Sequence, residues 1–298
     1  MQKVYAAAAR VFTHKIKNGG NPVTVFFLSA TNTTAESRSP NENLMKQLAQ
    51  KCEWESVVVA KTDPPTLFFF MPSGEQVSFC AHAAMGAAAI INQKLGIGNR
   101  LENNSISLEF QTGQGDHNQV LIRSSSDGNA TAELKMKKEL RESDVNFDIV
   151  SKLLKEVGLD LDQDVIRNGN EPFLNSSVAR YKTLIPIVSM EKLHSATNPK
   201  DPDLFRYLCD AIDSTGIYLY SKVQSSNSNQ YEARQFPRAS GYSEDPATGI
   251  AAAALACSLE KSNIYDGDSS IQRTTFQLSN LVLMTLYGES LWSLHTFS

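Results

Sequence analysis

The sequence predicts an α+β protein built in two parts of similar construction. Three observations carry this expectation. Short strand-like runs recur along the chain, separated by clusters of Gly, Pro, Asn and Asp. Two Ala-rich helical stretches, opening at Cys80 and Asp245, lie 165 residues apart, roughly one domain length. The 298 residues are enough for two hydrophobic cores. Alanine runs are also simply good helix-forming sequence, so periodicity alone leaves duplication open.

The elements follow in order. Residues 3–12 and 22–29 read as strands, with Asn18-Gly19-Gly20-Asn21-Pro22 as a dense turn signal between them. Leu44, Met45, Leu48 and Ala49 give helical spacing over residues 41–52. Ser56–Ala60 and Thr66–Met71 are strand-like runs split by Asp63-Pro64-Pro65. Cys80 to Asn92 forms a helix with almost no charged face, and a helix apolar all round belongs in a core. Residues 105–110, 119–124 and 130–136 read as strands, and 143–157 as a helix ending near Gly158. Thr183–Val188 and Gly216–Ser221 are further strands, and Ser225–Gln230 is a polar loop. Asp245 to Leu259 is the second apolar helix. A domain boundary is expected near residues 126–130, giving parts of 1–127 and 128–298.

Bulk properties exclude several classes of function. The chain is 41% hydrophobic and 20% charged, with a formal net charge of -4. That balance gives no reason to expect nucleic acid or an anionic membrane as partner. The basic run Lys135–Lys138 reads as a solvated element end. No stretch approaches the roughly 20 apolar residues that span a bilayer, and no signal peptide is expected. The four cysteines, at 52, 80, 209 and 257, form no Cys-x-x-Cys pair and read as reduced thiols in a cytoplasmic protein. No two of the five histidines stand at metal-ligand spacing, so no metal is expected. Dinucleotide and phosphate-loop patterns and Gly-x-Ser-x-Gly are missing.

Three places could carry chemistry. His82 stands at the start of the first apolar helix, and Asp245 to Gly249 at the start of the second. Helix starts expose free backbone N–H groups and partial positive charge, which suit a carboxylate. Small residues there (Ala81, Ala83, Ala247, Gly249) let ligand atoms approach. Asp245 and Thr248 also read as simple helix caps. Glu55, beside Trp54 and ahead of an apolar strand, becomes a competent proton carrier near neutrality if desolvated. Read on its own, a glutamate in this position is more often a solvated loop residue.

At these residues the chain resembles the PhzF-like isomerases, whose fold is shared with diaminopimelate epimerase. Gly20-Asn21-Pro22-Val23-Thr24-Val25 looks like the family's Gly-Asn-Pro-x-x-Val turn. Trp54-Glu55-Ser56 resembles the segment carrying the family's catalytic glutamate. Cys80-Ala81-His82-Ala83-Ala84-Met85-Gly86 is similar to its histidine motif. Arg234-Gln235-Phe236-Pro237 through Gly241-Tyr242-Ser243-Glu244-Asp245-Pro246-Ala247-Thr248-Gly249 resembles its most specific signature. The likeness spans roughly residues 5–262 and fades after 263.

The resemblance implies two pseudo-symmetric domains, each a strongly curved, mostly antiparallel sheet rolled around a central apolar helix. It implies a cofactor-free isomerase that shifts a proton on a small carboxylate-bearing substrate, in a cleft between the domains. Glu55 would shuttle the proton, with His82 and Asp245 flanking it. Gly20, Asn21, Cys80, Ala81, Thr248, Gly249 and Ile250 would line the pocket. A homodimer is the family-level expectation. Three departures bear on the substrate: Ala81 replaces a glycine, Ile250 replaces a serine, and Arg238 enters the Phe-Pro loop. They also motivate a second reading, a catalytically weak or inactive scaffold that binds a small molecule or a protein. Racemases of this fold use two thiols. Cys80 matches the first, but the second falls at Pro246, which cannot carry a proton.

Overall fold

The computed structural model describes residues 4–11, 21–28, 41–62, 64–101, 105–124, 130–137, 140–167, 169–223, 231–240, 242–245 and 248–262. It also describes the strand residues 275–276, 283–287 and 291–295. The fold is α+β and divides into two compact units, residues 1–136 with 294–298, and residues 137–293. The turn expected at 126–130 lies outside the described residues, apart from Ala130.

The first unit holds β1 (Val4–Val11), β2 (Asn21–Leu28), α1 (Glu42–Ala49), β3 (Ser56–Thr62), β4 (Pro65–Phe70), β5 (Gln76–Val77), α2 (Ala81–Leu95), β6 (Asn99–Arg100), β7 (Ser105–Thr112), β8 (His117–Ser124) and β9 (Ala130–Lys137). Its strands run β1-β2-β3-β4-β7-β8-β9, with β5 on β4 and β6 on β7. Pairing is antiparallel except for β2–β3 and β4–β7. The continuous apolar runs of β2 to β4 have a plain cause, since both faces of these strands are covered. Phe26, Val58 and Phe70 pack with Met45 and Ala49 of α1. The alternate residues Val25, Val57, Val59 and Phe69 are equally buried, and α2 packs on β1, β2, β3 and β8.

Small side chains let α2 sit tightly in this sheet. Gly86 shows how tightly: a Cβ there would stand 2.6 Å from Val23 Cγ1 and 3.1 Å from Val11 Cγ2. Gly86→Ala gains about 1 kcal/mol of helix propensity but overpacks a rigid β-branched neighbour, at about 1–3 kcal/mol. The expected net result is a lower denaturation midpoint, recovered when Val23→Ala makes room. A single variant as stable as the parent would show that the sheet yields freely. Gly96, with φ of 65°, ends the helix in the left-handed conformation that suits glycine.

The second unit holds β10 (Arg141–Ser143), α3 (Phe147–Glu156), β11 (Leu174–Ser177), β12 (Lys182–Pro186), α4 (Met190–Ser195), α5 (Pro202–Ala211), β13 (Gly216–Lys222), β14 (Tyr231–Pro237), α6 (Gly249–Lys261), β15 (Thr275–Phe276), β16 (Leu283–Tyr287) and β17 (Leu291–His295), the last running into residues grouped with the first unit. Strands β10-β11-β12-β13-β14 form one sheet, parallel only at β12–β13. Ile185, Ile217, Leu219 and Phe236 share a core with residues of α3, α4 and α5. The opposite face carries Ser176, whose Oγ donates to Ala254 O of α6 at 3.4 Å and accepts from Ser258 Oγ at 2.8 Å.

Within each unit the chain follows the same course. An antiparallel pair (β1–β2; β11–β12) leads through helical crossover to a parallel third strand (β3; β13). An antiparallel fourth strand (β4; β14) follows, and then a buried Ala-rich helix (α2; α6). The second apolar helix begins at Gly249 rather than at Asp245. The polar loop expected at 225–230 lies outside the described residues.

Candidate active site

Two of the expected residues of the first unit, His82 and Cys80, gather with Glu55. Asn21 opens β2 and is buried. Glu55 precedes β3, with its carbonyl accepting from Thr24 N at 3.4 Å. Cys80 is the N-cap of α2, Ala81 its first residue and His82 its second, and all three are buried. Glu55 is only 7% exposed, so it is no solvated loop residue, although neighbouring Trp54 is exposed. His82 Nε2 stands 3.9 Å from Glu55 Oε2, longer than a direct hydrogen bond. Cys80 Sγ lies 3.4 Å from His82 Nδ1. Carboxylate, imidazole and thiol thus form one buried chain. Gly20 lies outside the described residues.

In the second unit Asp245 is no helix cap. It stands four residues before α6 and forms an isolated antiparallel bridge with Gln235, its N–H donating to Gln235 O at 2.9 Å. Thr248 is the N-cap of α6 but makes no capping bond through its side chain. Gly249 and Ile250 are buried at the helix start. The four outer helices differ: Asn41, Asn146, Ser189 and Asp201 each cap theirs with a side-chain oxygen. The two apolar helices, α2 and α6, start without such a cap.

The loop before Asp245 is held by Arg234. Its Nε and Nη2 donate to the two oxygens of Glu244 at 2.8 and 2.7 Å. Its Nη1 donates to the carbonyls of Leu193, His194 and Ala196 at 3.2, 3.2 and 2.6 Å. Arg238, one of the departures noted above, grips both carboxylate oxygens of Asp210 on α5. That contact holds the Asp210 carboxyl below its usual range, and it gives Arg238 a structural role.

Two polar residues next to Asp245 are not evident in the sequence. Tyr218 and Gln235 are each 1% exposed. Neither the Tyr218 hydroxyl nor the Gln235 amide has a hydrogen-bond partner among the described residues. A buried polar group left so costs about 1–3 kcal/mol. Burial, and then the charge of Asp245, push the Tyr218 phenol well above its ordinary range, so it stays protonated. Gly216, with φ of 133°, makes room for the amide: a Cβ there would stand 2.7 Å from Gln235 Nε2. The only available signal was the polar Gln inside an otherwise apolar strand end.

The thiols differ in their surroundings. Cys80, Cys209 and Cys257 are buried and Cys52 is half-buried. Burial pushes the Cys209 thiol up to about 12. An alkylating reagent at neutral pH should modify Cys52 first, leaving Cys209 unlabelled until the protein unfolds. Mass spectrometry of the labelled peptides checks this, and early Cys209 modification would contradict it.

Two α+β units of one chain course, each carrying a buried Ala-rich helix, with a buried acid–imidazole pair in the first, define the PhzF-like and epimerase-like class of fold. The chain matches a Bacillus anthracis phenazine biosynthesis protein of the PhzF family with 17% identity and a TM-score of 0.72, over 99% of this chain and 95% of that one. A predicted epimerase from Pseudomonas aeruginosa matches with 16% identity and a TM-score of 0.68, over 100% and 98%. A PhzF-family protein from Enterococcus faecalis gives 16% and 0.63, over 100% and 98%. No curated protein matches by sequence. The PhzC-PhzF family model, described as Phenazine biosynthesis-like protein, matches residues 9–280, and the chain belongs to that family. No helix among the described residues is long and apolar enough to cross a membrane.

Proposed function

We propose that the protein is a cofactor-independent isomerase that moves a proton on a small carboxylate-bearing substrate by general acid–base catalysis. The observation that carries this reading is the buried Glu55 carboxylate, 3.9 Å from His82 Nε2. The Glu55 carboxylate takes a proton from one substrate carbon, and the electron pair moves into the adjacent unsaturation. The resulting carboxylic acid exchanges its proton with solvent and delivers one to another carbon. His82 steadies the charge on Glu55, and Cys80 fixes the imidazole through Nδ1. With the thiol donating to Nδ1, the ring proton sits on Nε2 and faces the carboxylate.

The bare starts of α2 and α6 support a carboxylate ligand, since free N–H groups and the helix dipole favour an anion. Asp245 would orient the substrate. In the sequence register of the family, Pro246 falls at the position of a second thiol, which favours Glu55 as the carrier. Solved proteins of this fold include one described as a predicted epimerase, in keeping with proton transfer at carbon.

A panel of small β,γ-unsaturated acids incubated in deuterated buffer tests the proposal. At least one acid should shift its double bond and take up deuterium, as followed by proton NMR. If every acid stays unchanged while a protein co-purifies stoichiometrically, the enzyme reading fails and the scaffold reading stands.

A further inference from the structure

We propose that Tyr218, Gln235 and Asp245 form a polar subsite that selects substrates carrying a neutral group able both to donate and to accept a hydrogen bond. The subsite rests on the carboxylate-substrate reading above and adds to it the second polar group of the substrate.

Strand register places these residues together. Leu174 pairs with Leu184, Leu184 with Tyr218, Tyr218 with Gln235, and Gln235 with Asp245. Paired residues share a sheet face, so the three polar side chains end one continuous row. The row lies on the α6 face, because Ser176, two residues from Leu174, bonds α6. The opposite face holds Ile217, Leu219 and Phe236 in the helix-covered core. The row ends at half-buried Asp245, a short step from the uncapped start of α6.

The chemistry of the row selects its ligand. Asp245 as a carboxylate only accepts. The Tyr218 hydroxyl donates, and the Gln235 amide does either. A carboxylate placed here would face Asp245 and have nothing to donate. An ammonium group could not accept from Tyr218. A hydroxyl or a carboxamide fits, giving its hydrogen to Asp245 and taking one from Tyr218. Sites built to bond such a group reject analogues lacking it, because their own polar atoms would then stay unpaired.

Ligand-induced thermal shift on the wild type, Gln235→Met and Tyr218→Phe tests this. The probes are 3-hydroxybenzoate and 3-carbamoylbenzoate, set against 3-methylbenzoate and the acceptor-only 3-acetylbenzoate. In the wild type one donor–acceptor acid should bind at least about tenfold more tightly than its counterpart. Which of the two does so separates hydroxyl from carboxamide. Both substitutions should bring that ratio near one while leaving 3-methylbenzoate affinity unchanged. An equal ratio in the wild type, or one that survives both substitutions, overturns the subsite and leaves the carboxylate reading standing. Failure of all four acids to bind overturns the carboxylate reading and the subsite with it. Without ligand, both variants should melt within roughly 2 °C of the wild type or above it. A large fall in both would assign the row to internal stability and overturn the proposal.

Discussion

Glu55→Gln should fold as well as the parent yet lose about 10²–10⁴-fold in deuterium exchange and double-bond shift. The amide has nearly the same shape, so the packing around a residue that is 7% exposed is kept. Burying a neutral amide is also easier than burying a carboxylate. The melting temperature should therefore hold or rise. What disappears is the ability to take a proton and give it back. His82, 3.9 Å from Oε2, would still be present but would have no carboxylate to steady. Turnover near the parent level in a folded Glu55→Gln protein would remove Glu55 from the mechanism. A comparable loss in Cys80→Ala but not in Glu55→Gln would move the chemistry to the thiol.

Arg234→Met should be the most damaging single change in the second unit. It removes two charged bonds to Glu244 and a donor shared by three carbonyls at the end of α4. Breaking a buried ion pair costs about 3–5 kcal/mol. Glu244 is partly exposed here, so about 2–4 kcal/mol is the better expectation. For a chain of 298 residues that lowers the melting temperature by roughly 3–6 °C. Arg234→Lys should recover little, because one ammonium cannot grip both carboxylate oxygens and three carbonyls. Adding Glu244→Gln to Arg234→Met should restore part of the loss, since the carboxylate no longer lacks its partner. Activity should fall further than stability explains, because Arg234 fixes Glu244, the residue next to Asp245 in the chain. A fully stable Arg234→Met protein would show that the loop is held by other contacts.

Much of this architecture could be read from sequence because its causes are local. The strands of the first unit announce themselves as apolar runs between turn residues. Both central helices show in their lack of any charged face. Elements stabilised mainly by partners were harder to see. β11 is Leu-Asn-Ser-Ser, polar by composition, and it is held by Asn175, which accepts from Thr183 and donates to Ile212 O. α5 did carry a signal, with Asp201 capping and Pro202 at its first position, although it was not among the expected elements. β14 was read as a motif and not as a strand, although its first residues alternate buried and half-buried as a strand does.

The site divides in the same way. The Glu55, His82 and Asp245 positions came from a resemblance of motifs, while residue type alone left each with an ordinary reading. The burial of Glu55 and its contact with His82 depend on β3 running parallel to β2 and on α2 following β4, which no local pattern specifies. Asp245 was read as a helix residue, and the structure sets it in a bridge ahead of α6. Tyr218 and Gln235 become neighbours only through the register of β13 and β14.

The shared course of the two units sets the order in which their parts leave the ribosome. In each unit five strands are synthesised before the buried helix, β1 to β5 before α2 and β10 to β14 before α6. Until residue 95 has emerged, Val25, Val57, Val59 and Phe69 have no α2 to cover them. The second unit repeats this interval, with β11 to β14 waiting for α6. Each interval exposes an apolar surface rich in strand edges, the kind of nascent chain that aggregates or recruits a chaperone. Ribosome-bound chains halted before residue 81 should therefore capture general chaperones more strongly than chains extended well past residue 95.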